Sequence, residues 1–124
     1  MKAVDVVLGL ITRDGRWFLQ RRDPGNTVLP GYWEFPGGKT QDLESLEVAL
    51  RRELREEVDW EQVSATPLDV IEHGYAEGQV RLHPFRCEGP GVPRTTLAWG
   101  WFTLEEMRRL KIPDANAGIL ELLR

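Results

Sequence analysis

Apolar residues run densely through the first stretch of the chain. Val4, Val6, Leu8 and Leu10 fall on one side of an alternating segment, and Val7 and Gly9 keep the other side apolar as well. That pattern predicts a strand covered on both faces. Arg13-Asp14-Gly15-Arg16 then supplies a turn, and Trp17-Phe18-Leu19-Gln20 returns as a second strand, so the chain opens with a hairpin. Two Pro, two Gly and an Asn between Asp23 and Gly31 mark a loop. Trp33-Glu34-Phe35 follows as a short strand closed by Pro36-Gly37-Gly38, where the glycine pair lets backbone approach a ligand closely.

The period changes after residue 44. From Ser45 to Val58 there is no Gly or Pro, and Leu46, Leu50, Leu54 and Val58 recur every four residues. An amphipathic helix with Ser45 as its N-cap is expected. Leu68 to His73 and Val80 to Cys87 are expected strands joined around Gly74 and Gly78, with Pro84 pointing to an edge position or a bulge. After a Gly/Pro-rich loop at 89–93 come a strand from Leu97 to Phe102, a helix from Leu104 to Leu110 and, beyond Pro113, a closing helix from Asn116 to Leu123. No repeat or interdomain linker interrupts this order. One α/β domain over residues 1–124, a mixed sheet flanked by helices, is the expectation.

Composition narrows the partners. With 41% hydrophobic and 29% charged residues, the 124-residue chain has the balance of a globular domain large enough for its own core. A net charge of −4 argues against a nucleic acid polymer held through a broad basic surface. A small polyphosphate remains compatible, because a divalent cation brings an anionic substrate to an acidic site. The single Cys87 has no intrachain disulfide partner, and with only His73 and His83 beside it no zinc-spacing cluster arises. The N-terminal stretch carries an acid and no small-residue cleavage site, and no apolar run approaches a membrane span, so a cytoplasmic protein is expected.

Glu53, Glu56 and Glu57 lie three and four residues apart on the expected helix and share one face. Taken alone, Glu-x-x-Glu-Glu fits a solvated acidic stripe more readily than a site. If the three do gather at one site, a counter-cation explains the arrangement best, and carboxylate oxygens suit Mg²⁺, which keeps several waters and bridges phosphate oxygens.

The surroundings favour a site. Gly38 is followed after five residues by Glu44, and after seven more by Arg52-Glu53-Leu54-Arg55-Glu56-Glu57. This Gly-x5-Glu-x7-Arg-Glu-Leu-x-Glu-Glu pattern resembles the Nudix box. Phe18-Leu19-Gln20-Arg21-Arg22, Trp33-Glu34-Phe35-Pro36-Gly37-Gly38-Lys39 and Pro113-Asp114-Ala115-Asn116 extend the resemblance to the MutT-like branch of that family. It implies an α/β/α sandwich with a loop-helix-loop site. Glu53, Glu56 and Glu57 would bind Mg²⁺, with Mn²⁺ as a substitute and the Gly37 carbonyl as an added ligand. Arg52 would orient the carboxylates and Glu53 would be the general base. Arg22, Phe35 and Asn116 would contact base and sugar, with Lys39 near the phosphates. Plainer roles stand beside these: an i,i+4 ion pair with Glu56 for Arg52, an N-cap for Asn116, and core packing for Phe35, Trp33 and Phe85.

Two positions depart from the pattern. Asp59-Trp60 stands where the box usually has Gly and an aliphatic residue, which bears on the helix exit because Asp is one of the few residues besides Gly that tolerate a left-handed conformation. Trp99-Gly100 precedes Trp101 where relatives often carry a further acid. The leading implied activity is hydrolysis of a nucleoside triphosphate, such as an oxidised purine or a cytidine nucleotide, to monophosphate and pyrophosphate. The alternatives are hydrolysis of a nucleoside diphosphate linked to another group, and a silent nucleotide-binding module.

Overall fold

The computed structural model describes residues 3–75 and 78–123. Strand β1 (Ala3–Arg13) is its axis. The parallel neighbour of β1 is β7 (Gly78–Glu88), paired from Ala3↔Gln79 to Ile11↔Cys87. On its other side Val6–Leu8 pairs antiparallel with β4 (Gly37–Lys39), and its far end turns into β2 (Arg16–Arg21). Asp14 and Gly15, with φ of 52° and 76°, make that two-residue turn, as the Asp-Gly pair predicts. Strand β2 pairs with β3 (Trp33–Glu34) and β8 (Trp99–Phe102), while β5 (Ser64–Pro67) and β6 (Ile71–Tyr75) pair in succession with β7.

Both faces of β1 are indeed covered. Val7 and Ile11 pack with Phe18, Phe85 and Cys87 against Ala49, Leu50, Leu54 and Val58 of helix α1 (Leu46–Val58). Leu8 and Leu10 join Leu19 and Leu82 on the opposite face. There they meet Met107 of α2 (Leu104–Met107) and Ile119 and Leu120 of α3 (Asp114–Leu122). Helix α1 lies so close to β1 that a Cβ on Gly9 would sit 2.7 Å from Leu54 Cδ2. The result is the expected α/β/α sandwich.

Several boundaries differ from the sequence expectation. Pro36-Gly37-Gly38 does not only close β3, because Gly37–Lys39 crosses to pair with β1. The strand expected at Leu68–His73 begins only at Ile71, as β6, and a further strand not expected from the sequence, β5, precedes it, with a break at residues 68–70 between them. Three residues there (68–70) face two on the neighbouring strand (83 and 84) between the pairs Ile71↔Leu82 and Pro67↔Phe85, so the bulge alternative fits while the edge alternative is corrected: Pro84 lies inside interior strand β7. Its carbonyl accepts from Leu68 N at 2.9 Å, so its missing N–H faces the same side, where the partner changes from β6 to β5 and no ladder bond is lost. Helix α2 ends at Met107, short of Leu110, and α3 starts at Asp114, two residues early, which puts Asn116 inside it.

Candidate active site

Helix α1 is fixed at both ends. Ser45 Oγ accepts from Val48 N at 3.2 Å, and Asp59 takes the left-handed conformation, φ 45° and ψ 49°, with its N–H turned back to the carbonyls of Leu54 and Arg55. Asp at this place thus preserves the helix exit. The apolar face of α1 is buried, which leaves Arg52, Glu53, Glu56 and Glu57 along its flank beside β4 and β2.

Arg52 organises this flank. Its guanidinium donates to both oxygens of Glu44 at 2.7 and 2.9 Å, to Glu53 at 2.8 Å, to the Lys39 carbonyl at 3.1 Å and to Glu56 at 3.4 Å. The i,i+4 pair with Glu56 therefore exists but is the longest of five contacts. These bonds hold the Glu44 carboxyl below its ordinary range. Glu53 lies against Gly38, where a Cβ would come within 2.4 Å of its carboxylate oxygen.

Glu57 is held differently. Its carboxylate accepts from the Gly37 N–H at 3.2 Å and from Gln20 Nε2, and burial pushes its carboxyl up to about 7, with Glu34 and Glu53 adding repulsion. Glu34, also raised by burial, is 3.1 Å from Arg22, whose charge offsets part of that. Among the described residues no three acidic, His or Cys side chains already form a metal cage, and the Glu56 side chain is 59% exposed. The donor chemistry nonetheless fits a hard cation. Three carboxylates share one flank, and one of them, the half-buried Glu57, has no cationic partner among the described residues, a set that suits an ion completed by water.

A cleft of about 350 Å³ opens beside Glu57. Arg22, Phe35, Lys39 and Asn116 all line it, together with Gly37, Gly38 and Glu34. Phe35 is 2% exposed and belongs to the core, as its plainer role expects, while its edge lines the cleft. Asn116 makes no side-chain cap of α3, and the N-cap position is Pro113. Phe85 packs under α1 and Trp33 lies edge-on to Phe102. His83 hydrogen-bonds Asp5 at 2.9 Å, and His73 lines a separate depression with Tyr32 and Asp114. On the other side of Glu57 a wider recess is lined by Gln20, Glu56, Asp59 and residues 94–97, so the loop before β8 reaches the carboxylates with Arg94, Thr95 and Thr96 and brings no acid.

Glu34 and Gln20 were not singled out from the sequence. The signal for Gln20 was present: Phe18 faces α1, so two residues on Gln20 occupies a core-facing position that an apolar side chain would ordinarily fill.

A profile of the NUDIX domain matches residues 6–122. The CTP pyrophosphohydrolase of Escherichia coli (strain K12) is 48% identical over 124 residues, covering 98% of this chain and 91% of that protein. An 8-oxo-dGTP diphosphatase of Buchnera aphidicola subsp. Schizaphis graminum is 28% identical over 100% of this chain and 95% of its own length. Among solved structures, that of the MutT NUDIX hydrolase from Burkholderia pseudomallei superposes with a TM-score of 0.88 at 29% identity, all of both chains being covered.

Proposed function

The chain belongs to the Nudix family, in its MutT-like branch, and from that premise we propose that it hydrolyses a cytidine-type nucleoside triphosphate to the monophosphate and pyrophosphate with Mg²⁺. The observation that carries this reading is the single cleft in which Arg22, Glu34, Phe35, Lys39 and Asn116 meet Gly37 and Glu57. Its volume of about 350 Å³ is near the small end for ligand sites and suits one nucleoside. Asn116 offers both a donor and an acceptor, and the Glu34 carboxylate offers acceptors to an exocyclic amine such as that of cytosine. The relative named for CTP, at 48% identity against 28%, 35% and 33% for three named for 8-oxo-dGTP, supports the same choice.

Glu53, Glu56, Glu57 and the Gly37 carbonyl would hold the cation, which when bound supplies charge stabilisation at the phosphates and a more acidic water. Arg52 fixes the direction of Glu53 through a 2.8 Å bond, and Glu53 takes the proton from the attacking water. Lys39, at the mouth of the cleft, meets the phosphates, and Arg22 holds Glu34 toward the base.

Turnover of CTP, dCTP, 8-oxo-dGTP and nucleoside diphosphate conjugates with Mg²⁺ tests the substrate. Cytidine nucleotides are expected to give the highest kcat/KM, and Asn116→Ala to erase that preference by roughly 10-fold or more as paired groups lose their partner. A purine or a conjugate turned over fastest would replace the cytidine assignment.

A further inference from the structure

Gln20 is 1% exposed, yet it is polar and sits on the α1-facing side of β2 among apolar residues. Its Nε2 donates to Glu57 Oε1, while its own Oε1 is buried with no hydrogen-bond partner among the described residues. Facing an ionised Glu57, the form that binds a cation, only the NH₂ end of the amide can donate, and that choice orphans the carbonyl end. An unsatisfied interior acceptor is a cost that packing alone does not explain. Methionine would fill much the same space without the orphan. What Gln20 adds is a donor aimed at Glu57.

The carboxylates of the site are oriented by two devices. Arg52 grips Glu44, Glu53 and, weakly, Glu56, and none of its bonds reaches Glu57. Glu57 is pinned through one oxygen by Gly37 N–H at 3.2 Å and through the other by Gln20. A neutral amide in this place directs the carboxylate without cancelling its charge, as an arginine would, and so leaves it available to a cation. We propose that Gln20 is the positioning residue for Glu57, setting the direction of that carboxylate for a divalent cation held at this flank. The proposal rests on the metal-dependent reading above.

Direct Mn²⁺ binding, followed by loss of the free-ion EPR signal, separates the two. The parent is expected to bind Mn²⁺ saturably and Gln20→Met to bind it roughly 10-fold more weakly, with an unchanged or raised thermal midpoint. In a Glu57→Gln background, Gln20→Met is expected to change Mn²⁺ affinity by less than about twofold, because the residue acts through Glu57. Parent-like Mn²⁺ affinity in Gln20→Met, or an equal loss in both backgrounds, would overturn the assignment while leaving the metal-dependent reading intact. A parent that binds no Mn²⁺ would overturn both. Should Gln20→Met fail to fold, Gln20→Ala in the same two backgrounds decides the question by the same criteria.

Discussion

Gly37 and Gly38 are neighbours of identical composition, but a methyl group added to each would meet different obstacles. At Gly37 the new carbon would lie 2.0 Å from the Val7 carbonyl oxygen and 2.9 Å from Leu8 Cα, both backbone atoms that give way only if β4 leaves β1. At Gly38 it would meet the end of the Glu53 side chain, which can swing aside. Gly37→Ala should therefore destabilise the fold by about 2 kcal/mol or more in denaturant titration. Gly38→Ala should leave the midpoint nearly in place while lowering kcat by roughly 100-fold, since a displacement near 1 Å at a reacting group costs that much. Equal losses of stability in the two variants would contradict this division. At this scale the common flank of Glu53, Glu56 and Glu57 was legible from helical spacing, whereas their reading as a site, and the part of Arg52 in it, came from the resemblance to the Nudix box. Glu34 was not legible, because its importance depends on β3 and α1 meeting across a long sequence interval, and for Gln20 a polar residue in a core-facing place was visible but its partner Glu57 was not.

Whole elements were legible where local chemistry dictates them: the Asp14-Gly15 hairpin, the helix from Ser45, and its left-handed stop at Asp59. Strand β5 was not, since Ser64-Ala65-Thr66-Pro67 has little apolar alternation and is a strand only because β7 offers it an edge. The β1–β7 pairing carries an electrostatic tie as well. Asp5 and Arg81 are register partners with bonds of 2.8 and 3.1 Å, and His83 adds another at 2.9 Å. Arg81, followed by His83, holds the Asp5 carboxyl down at about 2, below its ordinary 3.8. A depressed folded-state pKa means that the contribution is fully present above about pH 4 and is lost as pH falls toward 2. Asp5→Asn should thus cost roughly 0.5–1 kcal/mol at neutral pH, the range of a solvent-screened pair. In acid titrations the difference from the parent should vanish between about pH 4 and 2. A difference that persisted unchanged to pH 2 would place the effect in packing instead.

Across the whole molecule, the sandwich turns a linear motif into a place. Sheet residues Gln20, Glu34 and Gly37, helix residues Arg52, Glu53 and Glu57, and Asn116 of the closing helix come from segments spread over most of the chain. The central β1 aligns them, with α1 on one face and α3 on the other. Fold class and the gathering of the acids on one flank could be anticipated from period and motif, whereas the shape of the cleft required long-range packing. The central claim, that this flank drives Mg²⁺-dependent cleavage between the α- and β-phosphates, is tested most directly by the products formed from CTP by the parent and by Glu53→Gln. The account predicts CMP and pyrophosphate in equal amounts, only with Mg²⁺ or Mn²⁺ present, and a rate lower by about 10²–10⁴-fold in Glu53→Gln. CDP and orthophosphate as products, or turnover unaffected by Glu53→Gln, would contradict it.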